Sequence, residues 1–169
     1  MISTKRILAV AAVLVLAGLS CNSLVDDPES PNVVLEAENL TIPPVTAARD
    51  TTTGTCTITV TNASATFKNK PKNEPAGSAP YQDIVLFRVV VDYTWDPSLP
   101  PLASREFGIG GSVPANGSAT AQFAVIDPLD IGPYLGSLAT LTLTFSGRVV
   151  SGETVTFRTG GFLTVNSCL

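Results

Sequence analysis

Ile84-Val-Leu-Phe-Arg-Val-Val-Val-Asp-Tyr-Thr-Trp95 is the stretch on which the fold turns. β-branched and aromatic residues dominate it, and it contains no Gly or Pro, so it reads as a long strand. Side chains alternate across a strand. Strict alternation sets Val85, Phe87, Val89, Val91, Tyr93 and Trp95 on one face. Ile84, Leu86, Arg88, Val90, Asp92 and Thr94 take the other, which is mixed. A strand apolar on one face and half-apolar on the other belongs at the centre of a sheet.

The same period of two recurs on both sides of this stretch. Thr55-Cys-Thr-Ile-Thr-Val-Thr61 has Thr at every odd position, the pattern of a strand with one buried face. Ser118–Ile126 sets Ala119, Ala121, Phe123 and Val125 to one side. Leu138–Val149 sets Ala139, Leu141, Leu143, Phe145 and Val149 inward against Thr140, Thr142, Thr144 and Arg148. Glu153–Thr159 buries Val155 and Phe157, Phe162–Val165 closes the set, and Val33–Ile42 is a weaker first strand. Ser146–Gly152 reads as the centre of a hairpin.

Turn chemistry separates these segments at Pro43-Pro44, Lys68–Pro80, Pro97–Pro101, Pro114–Gly117 and Pro128–Pro133. No segment carries a useful amphipathic helix. Each strand offers an apolar face that must meet another. The expected fold is an all-β, immunoglobulin-like antiparallel sandwich of seven to eight strands over residues 33–169, with a small barrel as the alternative.

Composition narrows the function classes. Charged residues are only 14% of the 169, and the formal net charge is −4. Removing residues 1–20 takes away Lys5 and Arg6 and no acid, which leaves −6. Too little positive charge remains to grip a nucleic acid through its phosphates, or to form a broad anionic-lipid-binding surface. The sequence contains no histidine, so Ser-His-Asp and Cys-His mechanisms are excluded within these residues.

The N-terminus is a secretory signal by its plan. Met1–Arg6 carries two positive charges, and Ile7–Leu19 is an uncharged, mostly aliphatic run. That run is shorter than the roughly 20 residues needed to span a bilayer. Two cleavage readings compete. Gly18 and Ser20 are small enough for an ordinary cut after Ser20. Alternatively, Ala17-Gly18-Leu19-Ser20-Cys21 resembles the lipobox of bacterial lipoproteins, with Gly18 where Leu is usual. The resemblance implies acylation of Cys21, a signal peptide over 1–20 and a membrane anchor. Asn22–Asn32 is polar, acidic and Pro-containing, so residues 21–32 read as a flexible tether. Asn22 after the cysteine, by similarity to enterobacterial sorting, points to the outer membrane.

Three cysteines in an exported chain need an explanation. With lipid on Cys21, Cys56 and Cys168 remain as a pair in an oxidising compartment. A bond between them would staple the first core strand to the last. Strand parity opposes it, since Cys56 lies with Ile58 and Val60, whereas Cys168 is out of phase with Leu163 and Val165. The pairing therefore needs a bulge or bend near Asn166.

Few residues suggest chemistry. Lys68, Lys70 and Lys72 lie in a Pro-broken stretch, as a solvated loop or a local positive contact site. Asp92, Asp96, Asp127 and Asp130 match no calcium-binding pattern and read as turn formers. Glu36 and Glu38 read as charges that keep an edge strand soluble. Tyr93 and Trp95 share the apolar face of their strand, so Tyr81 and Phe107 are the better candidates for exposed aromatic contacts. Gly108-Ile-Gly-Gly111 lacks a strand-to-helix setting and reads as a turn, not a phosphate loop. Nothing implies a metal or cofactor.

Thr61-Asn62, Asn69–Asn73, Val89–Tyr93, Val113–Gly117 and the cysteine near the C-terminus together resemble a loosely defined group of bacterial lipoprotein domains. That resemblance implies an immunoglobulin-like fold and no established activity. The expectation is a non-enzymatic envelope lipoprotein that binds a protein partner or serves a structural role. Binding of a small ligand, such as a glycan, a lipid or calcium, is the alternative.

Overall fold

The computed structural model describes residues 33–72 and 83–168. They form β1 (Val33–Thr41), β2 (Thr46–Arg49), β3 (Cys56–Thr59), β4 (Ala63–Pro71), β5 (Ile84–Thr94), β6 (Arg105–Val113), β7 (Ser118–Phe123), β8 (Leu138–Val149) and β9 (Thr154–Thr164). Two 3-10 turns, Pro128–Asp130 and Gly132–Tyr134, lie between β7 and β8.

One sheet has the order β1-β4-β7 and the other β6-β5-β8-β9. Every ladder in them is antiparallel. The chain passes from the first sheet to the second between β4 and β5, returns between β6 and β7, and crosses again before β8. With β1, β4 and β7 as strands A, B and E, and β5, β6, β8 and β9 as C, C′, F and G, this is the immunoglobulin-like Greek key. The β2–β3 hairpin is a separate two-stranded sheet between the first two strands of that key.

Three rings join the layers. Phe145 of β8 meets Phe67 of β4 edge to face at 4.9 Å, and Phe123 of β7 at 5.0 Å. All three are at most 2% exposed. The 4.5–7 Å edge-to-face geometry adds to the area that such rings bury. Ala139, Leu141, Leu143, Phe145 and Val149 are buried as their alternation requires.

Several expectations change. Nine strands are present among the described residues, against the seven to eight expected. The polar run from Lys68 begins inside β4, where Ala63, Ala65, Phe67 and Asn69 point inward. Gly108–Gly111 is part of β6 and not a turn, because β5 supplies a pairing partner along its length. The two segments expected at 153–159 and 162–165 are one strand, β9. Ser146 and Gly147 belong to β8, and the hairpin turns instead at residues 150–153, where Gly152 adopts φ 101°.

The largest change is within β5. Its ladder with β8 pairs Leu86 with Gly147 and Arg88 with Ser146, so Phe87 is an extra residue in a β-bulge. The bulge inverts the side-chain alternation. Ile84 and Leu86 point inward before it, and Val89 and Val91 after it, all at most 2% exposed. Val85 and Phe87, expected on the buried face with Val89, are 50% and 40% exposed.

Candidate functional site

The registers gather one set of chain segments at one end of the sandwich. Val33 pairs with Pro71, Lys68 with Ser118, and Ile84 with both Val113 and Val149. The chain therefore enters the sandwich at this end. Beside its entry point lie the start of β5, the 114–117 turn and the 150–153 turn. Asn69 fastens the two sheets here, its Nδ2 donating to the carbonyl of Val113 at 3.3 Å.

A surface groove of about 410 Å³ opens at this end, lined by Val85, Phe87, Arg148, Val149 and Val150. Phe87 forms its aromatic wall. The guanidiniums of Arg88 and Arg148 lie 5.7 and 5.9 Å from its ring centroid, within cation–π range. Val150 is 65% exposed at the turn. Arg88 also meets Glu106 of β6 at 3.5 Å. Arg148 forms no ion pair among the described residues. An aromatic ring, three valine side chains and an unneutralised guanidinium suit an amphiphilic, anionic surface or ligand. Val149-Val150 before Ser151-Gly152 is the sequence signal that marks this turn as apolar. Nothing in the sequence marks the bulge that exposes Phe87.

The lysines lie elsewhere. Lys68 and Lys70 project from β4 and meet Glu38 and Glu36 of β1 at 2.7 and 2.5 Å. Cross-strand register accounts for both pairs, since Glu36 stands opposite Lys68 and Glu38 opposite Thr66. Glu36 holds the Lys70 ammonium above its ordinary range. Two of the three lysines thus form a ladder across two strands where a loop was expected. Lys72 follows β4 as an exposed residue. A second, polar concavity of about 220 Å³ beside this ladder is lined in part by Asn116, Gly117 and Ser118.

Phe107 is not a free contact. It stands opposite Val89 on β6 and packs, half-buried, against the core. Cys21 and Tyr81 lie outside the described residues.

The opposite end holds the other aromatics and acids. Trp95 stacks on Tyr134 at 4.2 Å, and the Tyr134 hydroxyl donates to the carbonyl of Pro100 at 3.0 Å. Tyr93 donates to the carbonyl of Val125 at 2.7 Å, and burial pushes its phenol well above the ordinary tyrosine range. Both rings are structural, as their place on β5 suggests. Asp127 caps the turn by accepting from Leu129 N at 2.9 Å. Asp130 receives a bidentate pair from Arg105 at 2.7 and 2.8 Å. Asp92 accepts from the hydroxyl of Ser104, and Asp96 from Ser98 Oγ at 2.6 Å. Each of the four carboxylates is thus engaged by a donor from the chain itself. No three His, Cys, Asp or Glu come within metal-holding range among the described residues.

Cys56 and Cys168 are joined in a disulfide, with Cα atoms 6.0 Å apart. β9 ends at Thr164, and Val165 forms a parallel bridge with Val45, anchored by Asn166 N donating to the Val45 carbonyl at 3.0 Å. Residues 166–168 lie beyond the strand, so its alternation does not govern Cys168. The bond ties the β2–β3 hairpin, and not a core strand, to the end of the chain.

No protein-family model, curated protein or solved structure matches this chain.

Proposed function

We propose that this protein is a lipid-anchored lipoprotein of a bacterial cell envelope. Its sandwich acts as a non-enzymatic binding or structural module for an envelope protein partner. The observation that carries the reading is the Cys56–Cys168 bond. It leaves Cys21, directly after the apolar run, as the remaining cysteine of three. A disulfide fits an exported protein, and an unpaired cysteine at that position fits a lipid acceptor. The tether of residues 21–32 then leads to the domain, and Asn22 favours the outer membrane.

Metabolic labelling with palmitate tests the anchor. The protein incorporates label, and Cys21→Ser abolishes incorporation; label that survives the change would falsify the reading. Cross-linking in the native envelope tests the module. A specific protein partner is recovered, and recovery of none counts against an accessory role.

The groove beside Phe87 favours one second reading, binding of a small amphiphilic ligand. The calcium form of that reading has less support, because the four aspartates are already engaged by donors of the chain.

A further inference from the structure

We propose that the end of the sandwich carrying the Phe87 groove rests on the bilayer that holds the lipid anchor. Val150, Val85 and Phe87 lie at the headgroup boundary there, and Arg148 and Arg88 lie against lipid phosphates. This orientation rests on the anchored-lipoprotein reading and adds to it which face meets the membrane.

The chain enters the domain at Val33, which pairs with Pro71 at the end of the sheet where β5 begins. Residues 22–32 separate that point from Cys21. A flexible segment of that length has a root-mean-square span of about 20 Å. It can extend to no more than about 40 Å. β8 alone is about 40 Å long at 3.3 Å per residue. At its root-mean-square span the tether keeps the end where the chain enters, and the groove with it, nearer the bilayer on average than the end with Trp95. A short flexible tether produces a millimolar effective concentration, so a contact of about millimolar Kd would be occupied.

Val85, Phe87 and Val150 are each at least 40% exposed, and they adjoin two guanidiniums. Side chains with apolar bodies beside cationic heads suit the boundary between acyl chains and headgroups. Arg148 is a cation without a carboxylate partner among the described residues, on a chain of net charge −4. Arg105, at the opposite end, is held by Asp130. Leu138 and Phe162 are also exposed, at 55% and 65%, but on the half of the sheet remote from the tether. In this orientation they stand at the end of the sheet away from the membrane.

The test uses two aromatic exchanges in the full-length, lipid-bearing protein. Phe87→Trp reports from the groove and Phe162→Trp from the far half of the same sheet. Buried Trp95 is the one native tryptophan and gives a common background. Each variant is reconstituted in vesicles of phosphatidylcholine with a minority of phosphatidylglycerol, with and without brominated acyl chains. Emission from Phe87→Trp is quenched by the brominated lipid, and emission from Phe162→Trp is unchanged. Adding Arg148→Glu to Phe87→Trp weakens the quenching. Equal quenching at both positions, or at neither, in proteins that float with the vesicles overturns the orientation and leaves the anchor standing. Wild-type protein that fails to float overturns the anchor, and the orientation with it.

Discussion

Gly147 of β8 lies so close to Ile84 of β5 that a Cβ on it would fall 2.5 Å from Ile84 Cγ2. The same Cβ would sit 3.3 Å from the carbonyl oxygen of Val85. The branch of Ile84 is a stiff neighbour, fully buried, and cannot swing aside. Gly147→Ala should therefore destabilise the domain by about 1–3 kcal/mol through overpacking. Gly108 of β6 is the control, because a Cβ there meets nothing within 4 Å. Gly108→Ala should change stability by no more than about 0.5 kcal/mol. Urea denaturation of the two variants side by side checks the contrast.

The disulfide closes a sequence separation of 112 residues. On the chain-entropy account a loop that long is worth about 4–5 kcal/mol, and measured losses of native bridges run about 2–5. Replacing both Cys56 and Cys168 by Ser should lower stability within that range while preserving the far-ultraviolet circular dichroism. The Phe67–Phe145–Phe123 cluster holds the two main sheets together independently of the bond. Comparison of denaturant midpoints for the oxidised protein and the double variant measures the loss.

Arg105 and Asp130 clamp the connection between β7 and β8 onto the edge strand β6. The pair is bidentate, but Arg105 is 45% exposed, so solvent screens it. A double-mutant cycle with Arg105→Ala and Asp130→Ala should return a small favourable coupling. The coupling should shrink in high salt, and a value unaffected by salt would count against a screened surface pair.

Acid should act on named carboxylates. Asp50 accepts from the backbone N–H groups of Thr52 and Thr53, and Asp96 from Ser98 Oγ and N. Both are held below the ordinary value of 3.8. Their folded pKa is depressed, so they contribute stability above about pH 4 that is lost as pH falls through the folded value. Lys70 behaves oppositely: Glu36 raises its pKa above the ordinary 10.5. Its contribution is present below that value and lost as pH rises through the folded one. Asp50→Asn with Asp96→Asn should flatten the acid limb of the stability profile. Glu36→Gln should flatten the alkaline limb.

The strand-forming segments with a clean period of two, and the sandwich that follows from them, were legible in the residues alone. Ala139–Val149 and Ala121–Val125 are inward where their alternation puts them, because a half-buried strand has one solution for its apolar side. The sequence also identified Cys56 and Cys168 as partners. The features that break local rules depend on which strands meet. β6 is a strand despite Gly108, Gly110 and Gly111, because β5 offers it an edge to pair with. Lys68 and Lys70 continue β4 because β1 presents carboxylates beside them. The β5 bulge places Ile84 and Leu86 in the core and turns Val85 and Phe87 outward. A bulge inserts one residue against a partner strand, so its position depends on which strand that partner is and in what register. The local sequence contains neither fact. The groove beside Phe87 was hidden for that reason.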